Sequence, residues 1–205
     1  MGRLGPGGQA ASRDPALAAA WERLLAMTLD WFLILAAAFL AVLSPMLKIW
    51  HQLDAVLVSS EAANQTASQS AINHVLQSPA TTSTLVRFWL VAFAVALVYF
   101  WALSAASGGT VGKHVLGLRV VAATDRSRIS IGAAGVRAVA FLAGPAIFLL
   151  APDVGLLGGL IWLADCSVML LDSRMQCLHD RAAKTAVIRK RWLDQQARAT
   201  QPSPW

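Results

Sequence analysis

Charge is what this chain has least of. Asp and Glu number 11 among 205 residues and Lys with Arg 17, so 14% of the chain is charged while 57% is hydrophobic. Soluble domains carry about 25% charged residues, which excludes an ordinary globular domain and leaves a polytopic membrane protein. Cysteine is nearly missing as well. Cys166 and Cys177 stand 11 apart, which excludes a disulfide framework and a cysteine metal box. His51 and His74 are separated by 23 positions without other ligand types nearby, and read as solvated. No nucleophile with its base, metal box or acid/base pair emerges, so no enzyme, cofactor or catalytic residue is expected. The net charge of +6 does not call for a nucleic-acid partner. A basic excess in loops beside apolar spans is what topology requires, and aromatic-basic interleaving is lacking.

What is present are long apolar runs. The first, Leu24 to Leu43, has 20 residues. At about 1.5 Å per residue that matches the roughly 30 Å of a bilayer's hydrocarbon. Further spans are expected at 88–106, 131–151 and 154–171, the third with a kink at Pro145 and the fourth with the packing pattern Gly155-x-x-x-Gly159. The fold class expected is an all-α membrane protein of four transmembrane helices, spanning 21–190, with a small cytoplasmic hairpin-like loop. That hairpin is expected from the alternation Val115 to Val121 and the polar turn Asp125 to Ser127.

The segments between and around the spans are polar. Residues 1–20 read as a flexible arm and 191–205 as a polar tail. Pro6 stands where a myristoylation motif wants Ser or Thr, and the late, long apolar run containing Asp30 argues against a signal peptide. The connector 45–86 suits solvent-facing short helices or an irregular loop, and includes the sequon Asn64-Gln65-Thr66. Lys and Arg number 14 on residues 1–23, the middle loop 107–130 and the segment 172–205 against two, Lys48 and Arg87, around the connector. Both termini are therefore expected in the cytoplasm, in a plasma membrane of the bacterial inner-membrane kind.

Three charges fall inside the spans: Asp30, Arg137 and Asp165. Each lies six residues from the cytoplasmic end of its run, about 9 Å deep. An ionisable group there costs about 2.5 to 3.5 kcal/mol on insertion scales, so the three are expected to pair as one cluster. One arginine between two carboxylates leaves a negative excess, to be met by a second cation, for which Arg23 is the candidate, or by a proton. Such a cluster either fixes helix register or binds a small cation or proton.

The run Gly108-Gly109-Thr110-Val111-Gly112-Lys113 is not a phosphate loop, since Ser107 and His114 stand where that motif needs Gly and Ser or Thr. Its glycines are expected to turn the chain, with Lys113 among headgroups. In Leu178-His179-Asp180 a capping or interfacial hydrogen-bond role is expected over a catalytic dyad.

Together these residues resemble the RDD family of small membrane proteins. The resemblance rests on Arg23 and Asp30 of the first span, G-x-T-x-G-K at Gly108 to Lys113 followed by Gly117 to Val121, Arg137, His179 and Asp180, and Thr185 to Val187. The arginine and two aspartates of the family name map to Arg23, Asp30 and Asp180. The resemblance implies a role in transport, including cation/proton exchange. The chain departs from the pattern in its long connector and in Asp165. Four spans are few for a conduit, so transport would call for a homo-oligomer. The alternative is an accessory subunit that stabilises another membrane protein complex.

Overall fold

The computed structural model describes residues 14–62, 69–150 and 152–199. It is predominantly helical, as the apolar runs predict. In chain order the elements are α1 (Ala20–Ala41), α2 (Leu43–Ala62), α3 (Gln69–Leu76), α4 (Pro79–Ser107), α5 (Val111–Val115), β1 (Leu118–Ala122), α6 (Ile131–Leu150), α7 (Gly155–Leu171), α8 (Leu178–Ala182), β2 (Thr185–Arg189) and α9 (Lys190–Ala199). Helices α1, α4 and α6 are long and apolar enough to cross a membrane, while α7 is apolar but has 17 residues. Two compact units result: Trp31–Val98, and the residues on either side of it.

Within Trp31–Val98 the connector proves more helical than expected. Much of it is the 20-residue helix α2. The break before α2 falls at Val42 because Pro45 has no N–H to give the Ala41 carbonyl. Val42 instead donates back to Phe39 O at 3.1 Å. Helix α4 starts at Pro79, well before the expected Phe88. Pro suits a first helical position, and the Ser78 hydroxyl accepts the Thr81 N–H at 3.3 Å as an N-cap. The sequon Asn64-Gln65-Thr66 lies outside the described residues.

In the other unit, α6 and α7 pack backbone to backbone. A Cβ on Gly144 would lie 2.5 Å from Gly158 O, and one on Gly158 2.5 Å from Gly144 O. The expected Gly155-x-x-x-Gly159 row is thus corrected: Gly159 meets nothing within 4 Å, and contact runs through Gly155 and Gly158. The contact face follows a spacing of three residues, not four.

The expected hairpin is also corrected. Its turn forms, with Ala122 N–H donating to Ser127 O at 2.9 Å and a bridge from Val121 to Arg128. The principal partner of β1, however, is β2, antiparallel from Leu118 opposite Arg189 to Ala122 opposite Thr185. The reason is burial. Residues 125–128 are polar, whereas β2 brings Val187 beside Val120, into a core with Leu118, Ile129 and Ala134. The other edge of β2 takes up the chain start: Leu17 bridges Ile188, Ala18 N–H donates to Val187 O, and Asp14 pairs with Arg126. From Asp14 onward the arm is therefore anchored, not free. The tail likewise begins as α9, with Trp192 under the Arg126 guanidinium at 4.0 Å.

Candidate functional site

Helix α1 carries Asp30 fully buried. Three groups donate to its carboxylate: Thr110 Oγ1 at 2.5 Å and, on the other oxygen, Tyr99 OH at 2.6 Å and Gly112 N–H at 2.7 Å. The local sequence explains the fit. Gly108, at φ +71°, turns the chain as it leaves α4. Gly112 then presses on α1 so closely that a Cβ would stand 2.2 Å from Ala26 O and 2.9 Å from Asp30 Oδ1. The stretch that looked like a phosphate loop thus cradles a carboxylate of its own chain.

Asp180 is fully buried too, and charged groups hold it. Arg23 Nη1 reaches Oδ2 at 3.0 Å and Arg137 Nη2 reaches Oδ1 at 2.8 Å. Arg23 also donates to Val187 O at 3.1 Å, and Arg137 to Thr185 Oγ1 at 3.3 Å. Burial alone would raise the Asp180 carboxyl, but the Arg137 guanidinium above all, with Arg23, outweighs it and holds it down at about 2. Asp180 also accepts the Cys177 N–H at 3.4 Å in a capping box, as expected of a capping residue.

Asp165 makes a third pairing. It accepts the His179 N–H at 2.8 Å and faces His179 Nδ1 at 2.6 Å. With the proton on Nδ1, Nε2 is left to accept from Arg137 Nη2 at 3.5 Å.

The expected single cluster of Asp30, Arg137 and Asp165 is therefore corrected. Arg137 pairs with Asp180, Asp30 is held by uncharged donors, and Asp165 by a histidine. Arg23, expected as the second cation near Asp30, goes to Asp180. Depth along the helices located the charges but not their partners, because the segments after α4 and α7 return with nearer donors for Asp30 and Asp165 and a nearer acceptor, Asp180, for Arg137. Tyr99 and Thr185 were not singled out as site residues. A lone tyrosine in a span facing a buried acid was the signal for the first.

Lys113, expected among headgroups, is half-buried. Its Nζ donates to Thr110 Oγ1 at 3.3 Å and lies 5.9 Å from the Phe100 ring centre. Burial, then the Arg137 guanidinium, push its ammonium down to about 8 against the pull of Asp30 and Asp180. It lines a cavity of about 80 Å³ together with Arg23, Ser104, Arg137, His179 and Asp180.

Cys177, His179 and Asp180 bring possible ligand atoms within 4.8 Å of one another. Their donors are already engaged, since Asp180 holds two guanidiniums and His179 Nδ1 faces Asp165. Burial and Asp180 push the Cys177 thiol up to about 12, far from a reactive thiolate.

A model of the RDD family matches residues 17–184, most of the chain, including Arg23, Asp30, Arg137, Asp165 and Asp180 but not Thr185 or Val187. No curated protein and no solved structure matches it.

Proposed function

The chain belongs to the RDD family, and from that premise we propose that it is a proton-coupled transport protein of the plasma membrane. One observation carries the reading. Asp30 is a fully buried carboxylate on a spanning helix whose partners are two hydroxyls and a backbone N–H, with no cationic group of the described residues in ion-pair contact. It can therefore take a proton without breaking an ion pair, unlike Asp180. The Tyr99 and Thr110 hydroxyls can turn from donating to accepting when the carboxyl gains a proton, which a guanidinium cannot do, while the three hydrogens aimed at the carboxylate leave little lone-pair space for a metal cation.

In this reading α7 is the fourth crossing. Its 17 residues reach about 26 Å, and its packing along α6 returns the chain to the side from which α6 came. Both termini and the loop 108–130 then face the cytoplasm, and further copies would complete a conduit.

The second reading, an accessory subunit, draws on the completeness of the hydrogen bonds around Asp30, which suit a purely structural clip. Proteoliposomes holding a pH-sensitive dye separate the two. A cation-driven pH change in the wild type, lost in Asp30→Asn at a temperature where circular dichroism shows the variant still folded, is the expected result. Equal flux in both overturns the role of Asp30. No flux in either, beside a working control transporter, favours the accessory role.

A further inference from the structure

Pairing the charges of the site leaves two groups over. Asp180 is taken by Arg23 and Arg137, and Asp165 by His179. Asp30 and Lys113 remain, and one hydroxyl stands between them: Lys113 Nζ lies 3.3 Å from Thr110 Oγ1, which lies 2.5 Å from Asp30 Oδ2. An ammonium only donates, a carboxylate only accepts, and a hydroxyl does both, so the row has one direction. We propose that Lys113 is a second proton-binding site that exchanges protons with Asp30 through the Thr110 hydroxyl and with water through the adjoining cavity.

The proposal rests on the proton-coupling reading for its purpose, but not for its geometry. In the transfer a Lys113 proton passes to Thr110 Oγ1 while the proton of Thr110 passes to Asp30 Oδ2. Lys113 becomes a neutral amine, Asp30 a neutral acid, and Thr110 is regenerated. The amine then takes up a proton from water, and the reverse steps release it. A cavity of about 80 Å³ has room for several waters, each needing about 10–15 Å³ of such space.

The charges around Lys113 suit exchange near neutral pH. Asp30 and Arg23 face it from α1, Arg137 from α6 and Asp180 from α8, with the Phe100 ring of α4 below and His179 across the cavity. The net effect of burial and these neighbours brings its ammonium to about 8, where it gains and loses protons readily.

The test uses the full chain in detergent with ¹³C-labelled lysines, Lys113 being assigned among Lys48, Lys184 and Lys190 by its loss in Lys113→Arg. Asp30→Asn is expected to lower the pH at which Lys113 titrates, because it removes the carboxylate that favours the ammonium. In proteoliposomes, Thr110→Val is expected to cut proton flux at least tenfold and Thr110→Ser to retain it, with both variants shown by circular dichroism to be folded at the assay temperature. A Lys113 titration identical in wild type and Asp30→Asn overturns the inference whatever the flux. So does wild-type flux in Thr110→Val. An absence of flux in the wild type removes the transport reading and with it the relay, while an Asp30-dependent titration of Lys113 would then report only the charge coupling of the two groups.

Discussion

Among the residues, the two family aspartates differ in what surrounds them, and substitution should show it. Asp180→Asn leaves two guanidiniums, on side chains 7% exposed, without their carboxylate. A loss of about 3–5 kcal/mol is expected, read as a lower unfolding midpoint in detergent. Asp30→Asn strands no cationic group of the described residues in ion-pair contact and should cost less, about 1–3 kcal/mol. The pH dependence follows the same contact. The Asp180 carboxyl sits at about 2, below its ordinary 3.8, so its stabilisation is complete above the ordinary value and disappears as pH falls through about 2. Wild type and Asp180→Asn should therefore converge in unfolding temperature over that window. Gly112→Ala, whose Cβ would stand 2.2 Å from a backbone oxygen, should lose at least about 1–3 kcal/mol by the same measurement. Which residues matter was legible in the motif around Asp30 and in Leu178-His179-Asp180. Which of them meet was not, because an arginine can reach any carboxylate that folding brings near it.

At the level of elements, the α6–α7 contact makes a contrast of neighbours. Gly158→Ala would set a Cβ 2.5 Å from Gly144 O and 2.9 Å from Phe148 N, and should destabilise by about 1–3 kcal/mol. Gly159→Ala meets nothing within 4 Å and should be neutral, or stabilising by about 0.5–1 kcal/mol through helix propensity. Thermal unfolding of the two variants side by side checks it, and the reverse order would place the helix contact elsewhere. The apolar runs marked α1, α6 and α7 and the C-terminal end of α4, since length and hydropathy are local properties, but missed the polar first turns of α4. The partner of β1 was hidden because β2 lies more than sixty residues further along the chain, where alternation in one strand says nothing of its mate.

For the whole molecule, the excess of Lys and Arg on one side, 14 against two, predicts an orientation. A cysteine at the exposed Ser59 of α2 should react with an impermeant maleimide on intact cells. One at the exposed Gln195 of α9 should react only after permeabilisation. The opposite pattern would invert the topology and place the Lys113 cavity on the other face.

Composition and run length by themselves determined that this chain forms apolar helices long enough to cross a membrane, and its motifs pointed to Arg23, Asp30 and Asp180 through the resemblance to the RDD family. Tertiary structure alone decided that Asp180 binds both arginines while Asp30 is caged by a tyrosine, a threonine and a glycine N–H. The physical reason is range. Hydrophobic burial is summed along a stretch and can be read from it, whereas a hydrogen bond or ion pair acts across about 3 Å and depends on which distant segment folds back to that spot.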